Sequence, residues 1–208
     1  GVFKTTEGLQ ERFGTDRVRD TPISEEAITG GIMGAAMNGL RPIGELMFSD
    51  FLATCWDIVA NQIAKARYMT DGQIKLPLVI RSANGGGARF GAQHSQAMEN
   101  WAMAIPGLKV TAAATPRDND GLRAAAVRDP DPVIFFEHKK LYGSKGARAE
   151  SGAVDAASDI PAEDYTVPFG RAVVRREGSD VTLVGTLLMM HLALQAADLL
   201  EADGISAE

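Results

Sequence analysis

At 208 residues, with 45% hydrophobic and 23% charged side chains, the chain has the make-up of an ordinary globular protein, with room for one large domain or one domain and part of another. A net charge of -6 without a run of Lys or Arg argues against a nucleic-acid partner, because phosphate binding needs a positive stripe. The lone Cys55 excludes an internal disulfide, no run of apolar residues is long enough for a membrane span, and no signal-peptide pattern opens at Gly1, so the expectation is a soluble, cytoplasmic protein.

Short apolar runs alternate with helical periodicity, the pattern of an α/β layer fold. A short strand is predicted at 17–20, then a helix at 25–38 that stops at Gly39 ahead of Pro42. A strand at 43–47 leads to a long helix at 51–67, with Trp56, Val59, Ile63 and Ala64 near one face. The run Leu78-Val79-Ile80, inside a predicted strand at 76–81, suits burial on both faces. A glycine-rich loop at 84–91 precedes a helix at 95–104, which Pro106-Gly107 stops. A strand at 108–112, a helix at 116–128 and a strand at 132–136 follow. From Lys139 to Val167 the composition turns polar and rich in Gly, Ser, Ala and Asp, as in a linker. A strand at 181–185 and a helix at 187–202 then open a second domain. Gly1 starts in mid-pattern and 204–208 leads toward a further strand, so the sequence reads as part of a longer chain.

Several residues invite a chemical reading, each with a plain structural one beside it. Gly30, Gly31, Gly34, Ala35 and Ala36 leave the 25–38 helix thin on one side, although each glycine in a helix costs roughly 1 kcal/mol relative to alanine. Either this face packs tightly on its own sheet or it crosses another helix at a subunit interface. In Asp20-Thr21-Pro22-Ile23-Ser24-Glu25, a carboxylate stands at a turn into a helix, where ligands of open α/β sheets gather. From spacing alone, Glu25 is more simply a first-turn residue that favours the helix dipole, like Glu26. The glycines at 85–87 suit close approach of backbone to a ligand or partner, but neither a dinucleotide fingerprint nor a P-loop lysine accompanies them. His94 follows that loop; a structural hydrogen-bonding role is its default and a catalytic one the sharper alternative. His138 and His191 sit in no constellation, and no metal-ligand spacing appears.

Taken in order, Asp20-Thr-Pro-Ile-Ser-Glu25, Gly39-Leu-Arg-Pro42, Asn61-Gln-Ile-Ala-Lys65, Gly91-Ala-Gln-His-Ser-Gln96, Pro106-Gly-Leu-Lys-Val110 and Arg128-Asp-Pro-Asp-Pro132 resemble one family. It comprises the beta subunits of the thiamin-diphosphate-dependent decarboxylating component of pyruvate, acetoin and branched-chain 2-oxoacid dehydrogenase complexes. The resemblance is strong to about Tyr142 and weaker beyond it. It implies a transketolase-like pyrimidine-binding domain over 1–142, with a parallel sheet and helices on both faces. A linker at 143–168 and the incomplete beginning of a transketolase C-terminal domain at 169–208 follow.

The resemblance also implies the chemistry. Glu25 matches the glutamate that hydrogen-bonds a ring nitrogen of the aminopyrimidine, and Phe51 the aromatic that packs on that ring. Ile23 and Met47 fall in the same cofactor-binding pattern. His94 matches the histidine credited with handling the acyl group or the incoming lipoyl arm, and Trp101 follows it closely. Backbone around Leu78, Ala126, Val127, Asp129 and Asp131 matches a potassium-binding loop of some members. An alpha subunit, joined in an alpha-two beta-two heterotetramer, would hold the diphosphate and magnesium, and the present sequence has no Gly-Asp-Gly of the diphosphate motif. A lipoyl-bearing acyltransferase would receive the acyl group. Gln93-His94-Ser95 resembles the pyruvate and acetoin branches more than the branched-chain one, and Tyr142-Gly143-Ser144-Lys145-Gly146 resembles both; pyruvate is ranked first and acetoin second. The alternatives are an acetoin or branched-chain dehydrogenase subunit, a non-catalytic interaction subunit of the same fold, or a different thiamin enzyme such as a sugar transketolase, against which the missing diphosphate motif and the match at 93–96 speak.

Overall fold

Four strands carry the fold: β1 (Ile43–Leu46), β2 (Val79–Asn84), β3 (Lys109–Ala113) and β4 (Val133–His138). The computed structural model describes residues 3–142 and 154–208. The strands form one sheet in the order β1-β2-β4-β3, and every pairing is parallel. Parallel neighbours need a crossover between them, which is why helical segments separate all four strands. β2 and β4 lie in the middle, and β4 is buried at every position, as the apolar run Val133-Ile134-Phe135-Phe136 requires.

The helices are α1 (Leu9–Phe13), α2 (Glu25–Met37), α3 (Ala66–Met69), α4 (Glu99–Met103), α5 (Pro116–Arg128) and α6 (Leu188–Ala202). Leu46, Ile80, Ile134 and Phe136 point to one face of the sheet, where Leu52, Val59, Ile63 and Ala102 meet them and Ile28 and Ile32 of α2 pack from outside. Val79, Val133 and Phe135 point to the other, under Ala126 and Leu122 of α5. The side-chain period of two in a strand produces this division. α5 starts where its sequence says it should. Thr115 accepts from the Asp118 backbone N–H at 3.1 Å and donates to the Asp118 carboxylate at 2.8 Å, with Pro116 in the first turn.

The second face also holds a buried ionic network. Glu137, 5% exposed, pairs with Arg81 and accepts from Tyr142 Oη at 2.7 Å and Asn119 Nδ2 at 2.7 Å. Arg81 also reaches Glu45 at 3.3 Å and donates to Thr5 Oγ1 at 3.1 Å, tying the amino-terminal segment to the sheet. Burial alone would push Glu137 up, but the Arg81 guanidinium outweighs it and holds the carboxyl below the ordinary range. Burial and the Glu137 charge push the Tyr142 hydroxyl well above the usual tyrosine range.

Five expectations are modified. The strand expected at 76–81 is β2, which runs three residues further on, over Val79–Asn84. Residues 17–20 form no strand: Val18 stands between exposed Arg17 and Arg19, which leaves nothing to bury. The helix at 51–67 is a helical run of changing pitch, 3₁₀ over Ser49–Cys55, π over Ile58–Ile63 and α only in α3. The helix expected from 95 begins at Glu99: the Gln96 carbonyl, which a longer helix would use, accepts from Gly85 N at 3.1 Å, and the Gln96 and Met98 N–H groups donate to Asp50 and Asn84. The strand at 181–185 is reduced to one parallel bridge, Val181 to Ala207. The Gly143–Gly146 motif and the first part of the expected linker lie outside the described residues. From Val154 onward that segment packs on α5: Tyr165 Oη donates to Arg117 O at 2.7 Å and Val167 N to Gly121 O at 3.1 Å. α6 reaches the same end of the sheet through His191 Nε2, 2.7 Å from Ala114 O. Among the described residues, no helix is long and apolar enough to cross a membrane.

Candidate functional site

The carboxyl ends of β1 and β2 open into a cluster of rings. Phe48, just past β1, is buried at its centre, with the His94 ring at 4.4 Å, Phe3 at 5.7 Å, Phe90 at 5.9 Å and Phe51 at 6.1 Å. His94 also meets Phe51 edge-on at 5.3 Å. Such edge-to-face contacts suit the opposite charges of ring faces and edges.

Glu25 joins this cluster from the start of α2. It is half-buried, while neighbouring Glu26 is exposed. Ser24 makes no side-chain cap, so the carboxylates supply the negative end that the helix start favours. Thr54 Oγ1 lies 3.4 Å from Glu25 Oε2 and 2.8 Å from the carbonyl of Phe51. A single hydroxyl thus links Glu25 to the turn that carries Phe51, and Phe51 touches His94. These three residues come together at one end of the sheet. Met47 is half-buried beside Phe48, whereas Ile23 is 97% exposed and packs on nothing described. Trp101, on α4, packs against Trp56 at 5.4 Å and not against the rings around Phe48. Burial pushes the Cys55 thiol up to about 11, with the nearby Thr29 hydroxyl opposing and the Glu25 charge adding to the rise, so it is a packing residue.

Beneath the rings lies a polar layer that residue spacing did not reveal. Asp50, Asn84 and Lys139 are all buried. Asp50 Oδ2, Asn84 Nδ2 and His94 Nδ1 are three of the four buried side-chain N or O atoms without a hydrogen-bond partner among the described residues. Lys139 Nζ donates to Ala83 O at 3.4 Å and lies 5.4 Å from the Phe48 ring centre. Burial pulls its ammonium below the usual lysine range, and the Asp50 charge opposes this.

The glycine-rich loop has a different purpose from the one expected. Gly85 and Gly87 take positive φ angles of 82° and 88°; a Cβ at Gly85 would collide with the His138 ring, while one at Gly87 would meet only the outer, flexible part of the Lys140 side chain. Close backbone approach is therefore to the chain's own β4 end. His138, given no role above, is the side chain that needs Gly85. Its imidazole is held below the ordinary histidine range by burial and by the Lys139 charge.

The nominated potassium loop has its donors engaged. Val127 O and Asp129 O accept from Arg41 at 2.7 and 3.4 Å, and Leu78 O from Val133 N at 3.0 Å. Asp129 and Asp131 take Lys109 at 2.7 and 3.2 Å, and Asp131 also pairs with Arg67. Ala126 O accepts from Asp129 N at 3.3 Å. Thus Arg41, Lys109 and Arg67 engage Val127, Asp129 and Asp131, while backbone N–H groups engage Leu78 and Ala126. Clefts of about 510 Å³ beside β3 and about 560 Å³ beside Gly107 and Lys109 are lined by other residues, so Glu25, Phe51 and His94 lie outside both.

The family described as "Transketolase, pyrimidine binding domain" matches residues 1–145, and "Transketolase, C-terminal domain" matches residues 170–208. The chain belongs to the transketolase pyrimidine-binding family. The ring cluster and Glu25 fall wholly within the first match. Among similar proteins is the 2-oxoisovalerate dehydrogenase subunit beta of Bacillus subtilis (strain 168), 47% identical over 207 residues, covering 100% of this chain and 60% of that protein. The acetoin:2,6-dichlorophenolindophenol oxidoreductase subunit beta of Cupriavidus necator is 48% identical over 208 residues, covering 100% and 58%. The pyruvate dehydrogenase E1 component subunit beta of Bacillus subtilis is 43% identical over 208 residues, covering 100% and 61%. The chain thus spans about 60% of the length of these curated relatives. A solved "Split gene transketolase, inactive beta4 tetramer" superposes with a TM-score of 0.73 at 25% identity, covering 98% of this chain and 59% of that one.

Proposed function

We propose that this chain is the pyrimidine-binding part of a beta-type subunit of a 2-oxoacid dehydrogenase, and that Glu25, Phe51 and His94 work on thiamin diphosphate held between it and an alpha-type partner. The observation that carries the reading is the continuous set Glu25, Thr54, Phe51 and His94 at the carboxyl end of a parallel sheet in this family. Bound there, thiamin diphosphate supplies the carbon nucleophile and electron sink for decarboxylating a small 2-oxoacid. Glu25 holds a proton against the pyrimidine ring nitrogen, and Thr54 orients its carboxylate. Phe51 offers an aromatic face to that ring, with Met47 beside it and exposed Ile23 available to cover it. His94 stands at the rim, placed to meet an acyl group or the lipoyl arm of an acyltransferase. Domain limits of 1–142 and 169–208, joined by 143–168, accompany this reading.

Pyruvate is the proposed substrate, with acetoin next, on the strength of Gln93-His94-Ser95; relatives named for pyruvate, acetoin and 2-oxoisovalerate are all of similar identity. The open setting of the site supports a second chain that completes it and carries magnesium and the diphosphate. Expressed from its complete gene and assayed alone with pyruvate, thiamin diphosphate and magnesium, the protein should show no turnover. Addition of an alpha-type chain bearing Gly-Asp-Gly should restore it. Turnover by the single chain would overturn the shared site.

The thin face of α2 supports the same assembly. A Cβ at Gly31 or Gly34 meets nothing within 4 Å, and one at Gly30 only Ile58 Cδ1 at 3.7 Å. Packing on its own sheet therefore does not call for glycine at 31 or 34. Gly34→Leu should leave the isolated fold as stable or up to about 1 kcal/mol more so. Overpacking at a partner helix should instead weaken assembly by roughly 1–3 kcal/mol, about five- to hundredfold in Kd. Sedimentation of the mixed subunits measures this; unchanged association would remove α2 from the interface.

A further inference from the structure

The stretch from Gly91 to Met98 carries His94 but has little regular structure of its own, a single 3₁₀ turn at Ala92–His94. Its downstream end is stitched to the sheet by two buried side chains. Asp50 Oδ1 accepts from both N–H groups of Gln96, backbone and side chain, each at 3.0 Å. Asn84, the last residue of β2 and 0% exposed, accepts from the Met98 backbone N–H at 3.0 Å and from Ser49 Oγ at 2.6 Å. Gly85 N closes the seam on Gln96 O at 3.1 Å.

We propose that Asp50 and Asn84 are positioning residues that fix the His94 imidazole against Phe48 and Phe51; the catalytic consequence rests on the function proposed for His94, but the clamp itself does not. A buried carboxylate is costly unless its hydrogen bonds are good. At Asp50 the second oxygen has no hydrogen-bond partner among the described residues. Packing alone would be served better by an apolar side chain. A charged acceptor does what a neutral one does less well, drawing two N–H groups onto one oxygen with charge-assisted bonds. The Gln96 carbonyl is likewise taken by Gly85 N and not by a helical N–H, so both sides of this backbone are engaged outside the helix that starts at Glu99.

Asp50→Asn keeps shape and removes the charge; Gln96→Met leaves Asp50 intact and removes the side-chain bond from the other partner. In the complete protein, deuterium uptake of the 91–98 peptide and the rate of His94 modification by diethyl pyrocarbonate should each rise about tenfold, the scale of one lost hydrogen bond. The peptides of β4 and α6, which contain His138 and His191, should not change. Unchanged uptake at 91–98 in both variants overturns the clamp, as does an equal rise across β4. Should Asp50→Asn not fold, Gln96→Met decides alone by the same two readouts. With the alpha-type partner present, both variants should lower kcat for acyl transfer toward that of His94→Ala while KM for the 2-oxoacid stays within about twofold. A normal kcat for both alongside an impaired His94→Ala overturns the positioning role. A normal kcat for His94→Ala removes the catalytic part of the function proposed above, and the exchange data still decide the clamp.

Discussion

Glu25→Gln should lower turnover of the reconstituted enzyme at least about a hundredfold, the low end of what a positioned acid–base group contributes. Glutamine keeps the length of glutamate and can still accept from Thr54, so the start of α2 and the turn carrying Phe51 should survive. What it cannot do is hold and release a proton at the pyrimidine ring nitrogen. Cofactor affinity should fall less than rate, because the diphosphate contacts belong to the partner. Glu26→Gln is the control. Glu26 is exposed in the same first turn, so a carboxylate that serves only the helix dipole would make the two variants mild and alike.

Glu137→Ala should be the most damaging change to stability among the polar residues of the sheet. It strands Arg81, whose side chain is 12% exposed, with Glu45 as its remaining ion-pair partner, and leaves Asn119 and Tyr142 without their shared acceptor. Breaking one side of a buried pair costs about 3–5 kcal/mol, against roughly 5–15 kcal/mol for a whole domain. At about 2–4 °C per kcal/mol for a protein of this size, the melting midpoint should fall roughly 6–20 °C. The pH dependence has a definite sign. The Glu137 carboxyl is held below the ordinary range, so its contribution is present above the unfolded glutamate pKa and disappears as pH falls through the folded value. Wild type should therefore lose stability in acid through a step that Glu137→Ala lacks. Parallel acid titrations of the two melting curves would contradict the network.

Local signals and long-range ones differed in how far the sequence exposed them. α5 has its expected bounds because Thr115, Pro116 and Asp118 specify its start within four residues. β4 was visible as an apolar run because both of its faces are buried, whereas the run Leu78-Val79-Ile80 marked only the start of β2, which continues through Arg81, Ser82 and Asn84. The helix at 95–104 was misjudged because partners outside it set its start: Gly85 N takes the Gln96 carbonyl, and Asp50 and Asn84, distant in the chain, receive the Gln96 and Met98 N–H groups. The glycine loop was misjudged for the same reason, since its neighbours, His138 and Lys140, lie some fifty residues on. Spacing alone made Glu25 a first-turn residue, and it is one; only the ordered motifs singled it out, and only the fold set Thr54, Phe51 and His94 beside it. Asp50 and Asn84 were silent in sequence because a clamp is defined by what it crosses.

Proton–deuterium exchange at the thiazolium carbon of bound thiamin diphosphate, followed in the reconstituted enzyme before any 2-oxoacid is added, tests the role of Glu25 most directly. It isolates the proton transfer that Glu25 is proposed to support from substrate binding, decarboxylation and acyl transfer. Wild type and Glu26→Gln should exchange at the same rate, and Glu25→Gln at least about a hundredfold more slowly. Equal rates for wild type and Glu25→Gln would contradict the account.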